Sequence, residues 1–327
     1  MKIIKTKLKF SWEVLKDAVG EFGRSSAFKD SAALSYYSIF SIPGLLIIIV
    51  WVAGNFFGEE AIRGEITNQI GGMMGKDTAE SIQQLIAGAM IDKENFVMKA
   101  VGVGSLIFAS TTLFFQLQQS LNSLWDVEAA PKKAWLKFIL DRANSLGMIL
   151  VIGFLMITTM LMSTLISLFS AFIKSKLGIG TYIMVDVLNY VIGFGMVMVL
   201  FGLMFKVLPD IKITWRSVWM GALFTAILFT LGKFLLSFYF AQFKPTSAFG
   251  QAGTIILIML WINYTCTLIF FGAELTKIYT YKKGLPVALA NHSKWRVVEL
   301  YKNKVAVENG ELTPEEKKLR DSKDTLI

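Results

Sequence analysis

The sequence predicts an all-α polytopic membrane protein, with six transmembrane helices, short amphipathic interfacial helices and both termini cytoplasmic. Three observations predict it: six long apolar stretches, a hydrophobic fraction of 54% with mean hydropathy +0.55, and lysine and arginine crowded into alternate gaps between the stretches. The stretches cover residues 32–53, 96–121, 144–173, 182–205, 218–240 and 252–275. Each reaches the roughly 20 residues that cross about 30 Å of hydrocarbon as a helix. Lipid offers no partner for backbone N–H and C=O groups, so an uninterrupted helix is the economical crossing.

Sidedness follows from the charges. Residues 1–31, 123–142, 206–217 and 277–327 would share a side, and they hold 25 of the 33 Lys and Arg residues. The 55–95 loop on the other side has Arg63, Lys76 and Lys93 against seven acidic residues. The positive-inside tendency makes the first set cytoplasmic. The organisation expected is a cytoplasmic amphipathic segment (1–31), a six-helix domain (32–276) with an extracytoplasmic helical loop (55–95), and a basic cytoplasmic tail (277–327). The net charge of +9 then reports topology and attraction to anionic lipid headgroups, and no nucleic-acid partner is expected. Residues 1–31 lack the short hydrophobic region and cleavage site of a signal peptide. The single cysteine, Cys266, excludes a disulfide framework or multi-cysteine metal site within the chain.

Within the N-terminal segment, Leu8, Trp12, Leu15, Val19 and Phe22 recur at helical spacing, the pattern of an interfacial anchor. Pro43, preceded by Ser41, removes one backbone hydrogen bond from the first span and predicts a kink. In the loop, Ile62, Ile66 and Ile70 precede Gly71-Gly72, and Ile82, Leu85, Ile86 and Ala89 follow. This predicts two short amphipathic helices broken at the glycine pair, the second starting at Asp77 with Glu80 closing its first turn. In the tail, Thr313-Pro314-Glu315-Glu316 predicts a short helix.

Catalytic patterns are missing from the sequence. The one histidine, His292, follows the last span, and no HExxH, Walker loop, serine elbow or dinucleotide-binding glycine pattern occurs. We therefore expect no enzyme, no metal and no cofactor. Embedded polar groups are more informative, because a charge at the bilayer centre costs about 2.5–3.5 kcal/mol on insertion scales and should face protein or water. One layer combines Asp186 and Asn189, at i, i+3 in the fourth span, with Lys233 in the fifth, and Asp186 and Lys233 are expected to pair or to share a water-filled cavity there. The competing reading is that Lys233 snorkels to headgroups. A second layer nearer the cytoplasm contains Asp30, Gln116, Gln119, Asn122, Arg142 and Glu274, with Glu274 within reach of Arg142 or Lys277. Charges at helix ends also have a purely structural reading. Small residues, among them Gly193, Gly195, Gly221 and Gly272, allow close helix approach, and Gly250 and Gly253 flank the mouth of the sixth span as a turn or a gate.

Several segments together resemble the YihY/BrkB family of bacterial inner-membrane proteins. They are Ala32-Ala33-Leu34-Ser35-Tyr36-Tyr37 with Ser41 and Pro43, Leu121-Asn122-Ser123-Leu124-Trp125, Phe249-Gly250 leading to Leu260-Trp261, and Gly272-Ala273-Glu274-Leu275. The likeness covers about residues 25–280. Phe249 departs from it, since the family often places tyrosine before that glycine. The resemblance implies localisation in the inner membrane and roles variously described as virulence-associated factor, transporter, participant in envelope lipid or lipopolysaccharide movement, and ribonuclease. These residues offer no acid–base pair or metal ligands for the last.

The leading expectation is non-enzymatic translocation of an amphipathic or anionic molecule, with envelope lipid as one candidate, between spans one, four, five and six. Asp186 and Lys233 would line its outer half, and Tyr36, Gln116, Asn122, Arg142 and Glu274 its inner half. The alternative is a scaffold whose outer loop recruits an envelope protein. The small-residue faces also permit a homodimer.

Overall fold

A computed structural model describes residues 2–88, 96–130, 133–177, 180–243, 251–290 and 293–296. Among them are nine helices: α1 Lys2–Arg24, α2 Ala27–Phe57, α3 Glu59–Met74, α4 Lys76–Gly88, α5 Phe96–Leu124, α6 Ala134–Leu177, α7 Gly180–Val207, α8 Trp215–Phe243 and α9 Gln251–Lys282. Four three-residue strands complete the described elements: β1 Val127–Ala129, β2 Ile211–Ile213, β3 Val287–Leu289 and β4 Ser293–Trp295. The chain is an all-α polytopic membrane protein. Five stretches are long and apolar enough to cross a bilayer: Ala27–Phe57, Trp135–Thr158, Tyr190–Val207, Trp215–Tyr239 and Gly253–Lys282. Helix α5, 29 residues long, covers the remaining expected stretch.

The long helices form a closed circuit. α2 packs between α5 and α9, α9 on α8, α8 on α7, α7 on α6, and α6 returns to α5. Hydrophobic side chains from all six meet in one cluster that includes Leu34, Ile49, Leu121, Met148, Ile149, Phe201, Phe205, Ala222 and Phe270. The α8–α9 seam is a close approach. A Cβ on Gly221 would collide with the Thr276 side chain and the Gly272 carbonyl, and a Cβ on Gly272 would collide with Thr225 and with Phe205 Cζ. Each glycine is thus the recess for a threonine of the other helix, and both threonines donate back to their own helix, Thr225 to Gly221 O and Thr276 to Gly272 O. Gly232 does the same for Tyr264, whose hydroxyl donates to Leu228 O at 3.0 Å.

Helix α2 runs unbroken through Pro43. The face it buries is small and polar, with Ser31, Ser35, Ser38 and Ser41 all buried. The first three bend their hydroxyls back to own-helix carbonyls, while Ser41 Oγ is buried without a partner among the described residues. At the end of the circuit away from the strands, α3 and α4 cover α2, α8 and α9. These are the two expected loop helices, with Ile62, Ile66 and Ile82 buried. Their boundary differs from expectation: α3 continues through Gly71-Gly72 and the break falls at Gly75, where φ is +90°. Inside a helix a glycine pair costs about 1 kcal/mol per residue and is tolerated, whereas a left-handed turn needs glycine.

A second correction concerns α1. Its buried side is Val14, Ala18 and Phe22, with Phe10 and Leu15 packed alongside, against Leu275 and Tyr279 of α9. Trp12 and Val19, expected on the same stripe, stay exposed. Helix α1 therefore has one face on protein and a separate apolar face free, and a Lys282–Asp17 ion pair at 2.6 Å fixes the first.

The strands lie at the opposite end of the circuit from α3 and α4, and the sequence reading had none of them. β1 pairs antiparallel with β4, Val127 opposite Trp295, and β2 with β3, Ile211 opposite Leu289. Two connections that turn at this end, α5 to α6 and α7 to α8, are thereby stapled by the segment after α9. The expected tail helix, His292 and Gly250 lie outside the described residues.

Candidate functional site

The strand-bearing end of α5 has two polar faces. With 3.6 residues per turn, Gln118, Asn122 and Trp125 share one side, and Ser120, Ser123 and Leu124 the other. The first side meets α6 and the turn after α7, and the second borders a cavity.

On the first side a charged knot is built around Lys137. Lys137 and Asp141 lie one turn apart on α6, and Asp210 sits in the turn that Pro209 forces after α7. The Lys137 Nζ donates to Asp141 Oδ1 at 2.7 Å and to both Asp210 oxygens at 2.8 Å. Lys137 is 8% exposed and Asp141 3%. One cation against two carboxylates leaves a surplus negative charge, which amide donors offset. Asn122 Nδ2 donates to Asp210 Oδ2 at 2.9 Å, and Gln118 Nε2 to Asp141 Oδ1 at 3.2 Å. Asn122 Oδ1 also accepts the Asp210 backbone N–H at 2.7 Å, and Ser293, the first residue of β4, donates to Asp210 O at 2.9 Å. The knot thus ties α5, α6, the α7–β2 turn and β4 together.

On the second side lies a cavity of about 590 Å³. Its walls are Glu21 and Arg24 at the end of α1, Ser26 and Asp30 at the start of α2, Ser120 and Ser123 of α5, Asp126, Glu274 and Lys277 of α9, and Arg296. Asp126 adopts φ +56° where α5 ends, a left-handed conformation that aspartate tolerates better than most residues. Lys277 Nζ donates to the Leu124 carbonyl at 2.7 Å and to Asp126 Oδ2 at 2.8 Å, which neutralises the negative end of α5. Arg24 pairs with Glu21, Asp30 accepts from Ser26, and Arg296 contacts Glu128 and Ser123. Glu274 is different. It is 2% exposed, faces this cavity, and makes no hydrogen bond or ion pair among the described residues. The arrangement can receive a polar group that carries both signs of charge. Among the described residues no cluster of three His, Cys, Asp or Glu is placed to hold a metal ion.

The remaining sequence candidates are distributed. Arg142 reaches neither Glu274 nor the cavity: its guanidinium lies 4.5, 5.1 and 5.3 Å from the ring centroids of Phe108, Phe115 and Phe138 and donates to Thr111 at 2.8 Å. Gln116 and Gln119 are partly exposed, while their neighbour Gln118 enters the knot. Tyr36 is 54% exposed, its ring edge-on to Tyr37 and Phe40. Lys233 is half-buried on α8, and Gly253 is buried in the first turn of α9. The side chains of Asp186 and Asn189, and with them the expected pair with Lys233, lie outside the described residues. Asn122 and Glu274 were foreseen as polar-layer residues, but Lys137, Asp141 and Asp210 were not.

These features define a multi-pass membrane protein with a polar chamber at one end, and comparison with known proteins specifies it further. A family described as Virulence factor BrkB matches residues 18–296. The chain belongs to that family. Similar proteins include a UPF0761 membrane protein of Mannheimia succiniciproducens, 24% identical over 85% of this chain and 92% of its own length. Another from Histophilus somni strain 2336 is 24% identical over 77% of this chain and 85% of its own, and one from Psychromonas ingrahamii is 23% identical over 84% and 90%. No solved structure matches the chain.

Proposed function

We propose that this protein translocates an amphipathic molecule, with envelope lipid as the leading candidate, across the bacterial inner membrane without catalysing a covalent step. The observation that carries this reading is the mixed-charge cavity at the strand-bearing end, walled by α1, α2, α5 and α9. In this reading α5 is the sixth crossing and the strand-bearing end, with both termini, faces the cytoplasm, as its lysines and arginines favour. The exposed Trp12 and Val19 face of α1 then rests in the cytoplasmic interface, close to anionic headgroups. The polar head of the substrate enters the cavity while its apolar part stays against the helix surfaces, and the route continues between α2, α7, α8 and α9 toward Lys233. Nucleic acid has no role here.

Reconstitution tests this directly. Purified protein in vesicles with a fluorescent phospholipid is expected to accelerate exchange between leaflets, and Asp186→Ala and Lys233→Ala to slow it. Redistribution at the same rate in protein-free vesicles and in vesicles containing wild type overturns the proposal.

A further inference from the structure

The cavity's charges do not balance locally, and the imbalance has an address. Arg24 is paired with Glu21, Lys277 with Asp126, and Arg296 with Glu128; Asp30, less deeply buried, keeps only the Ser26 hydroxyl, and the buried Glu274 faces the same space with no hydrogen bond or ion pair among the described residues. A buried carboxylate left without a donor is costly, and a cationic donor placed in the cavity relieves that cost. Three residues on, Lys277 uses two of its three ammonium protons, on Leu124 O and Asp126. Its third is available to an anion. Positions i and i+3 of a helix are neighbours with Cβ atoms about 5–6 Å apart, so Glu274 and Lys277 present an acceptor and a donor on one face, side by side.

We infer that the Glu274 carboxylate receives the ammonium, and Lys277 the phosphate, of a phosphate ester that bears a primary amine two carbons away. This rests on the translocation reading and names the substrate class for the same cavity. A primary amine fits better than a quaternary one, because quaternary ammonium is recognised by a cage of aromatic faces. Among the described residues that line this cavity Phe270 is the single aromatic, and it is almost wholly buried in the core. The serine oxygens of Ser120 and Ser123 add acceptors for the remaining amine protons. A volume of about 590 Å³ holds a headgroup of this kind with room for water. The chemistry belongs equally to an aminophospholipid headgroup and to a free water-soluble ester.

Calorimetric titration of the full chain in detergent separates the sources. Glycerophosphoethanolamine and dihexanoyl phosphatidylethanolamine are the amine probes, with glycerophosphoglycerol and dihexanoyl phosphatidylglycerol as matched controls. Wild type is expected to prefer each amine probe at least tenfold, Glu274→Gln to abolish the preference, and Glu274→Asp to restore part of it. Tighter binding of the dihexanoyl lipid than of the free ester assigns the site to lipid, and equal binding to the ester alone. Either result requires the amine preference. Equal affinity of wild type for amine and control probes overturns the inference without any variant, as does a preference that survives in Glu274→Gln. Selective binding without lipid movement in vesicles leaves the site standing and removes the translocation reading. Lipid movement indifferent to the amine and to Glu274→Gln does the reverse.

Discussion

Asn122 holds Asp210 at both ends of its own carboxamide, donating from Nδ2 to the side-chain Oδ2 at 2.9 Å and accepting the backbone N–H at Oδ1 at 2.7 Å. One side chain therefore fixes a carboxylate and the peptide before it in a single orientation. Replacing it by alanine orphans that partly buried N–H and costs about 1–3 kcal/mol. Asn122→Asp keeps the shape but sets a third carboxylate against Asp141 and Asp210. It is expected to melt below Asn122→Ala in detergent, as followed by size-exclusion fluorescence after heating.

Lys137 is the cation that makes the two carboxylates tolerable. Removing one partner of a buried ion pair costs about 3–5 kcal/mol, because the remaining charge is stranded. Lys137→Met is expected to fall in that range. Lys137→Met with Asp210→Asn is expected to recover much of the loss, and a double-mutant cycle on melting temperature measures that coupling.

The two glycine recesses that hold threonines on the α8–α9 seam differ in what else a side chain there would meet. A Cβ at Gly272 meets mainly the Thr225 side chain, whereas one at Gly221 also meets the Gly272 carbonyl at 2.9 Å. Side chains can be trimmed and backbone cannot. Gly272→Ala is therefore expected to be partly rescued by Thr225→Ala, while Gly221→Ala is not rescued by Thr276→Ala. Folded yield of the four variants decides the matter.

Orientation is open to chemical labelling, because Cys266 is the one cysteine of the chain and is buried. In a Cys266→Ala background, cysteines introduced at Lys29 and at Glu60 report opposite ends of the circuit. A membrane-impermeant maleimide added to intact cells is expected to label position 60 once the outer membrane is permeabilised, and position 29 after lysis. Labelling in the reverse order inverts the assigned topology.

Apolar length and periodicity made the crossings legible, since burying a bilayer-length helix requires a long unbroken run whatever the partners are. Local pattern was a poorer guide to facing. Gln116 and Gln119 satisfy helical spacing, yet Gln118 is the residue turned inward, because the neighbour α6 lies on that side. Lys137 and Asp141 carry a readable signal in their i, i+4 spacing, but their third partner is Asp210, 69 positions beyond Asp141 and unreachable by local reasoning. The strands escaped for the same reason: three residues with one buried side give no period, and their pairing joins segments over 70 residues apart. Glu274 was visible as an embedded carboxylate. Its lack of a hydrogen bond became apparent once Arg142 was seen to lie elsewhere and Lys277 to donate to Leu124 O and Asp126.

Strands β3 and β4 follow α9, yet each is the mate of a connection formed much earlier, β2 and β1. During synthesis those two hinges leave the ribosome long before the segments that clasp them, so the helices they join can be inserted but not locked. Assembly of this end is governed by the clock of translation, and a nascent chain halted just past α9 would carry its helices in place with the clasp undone.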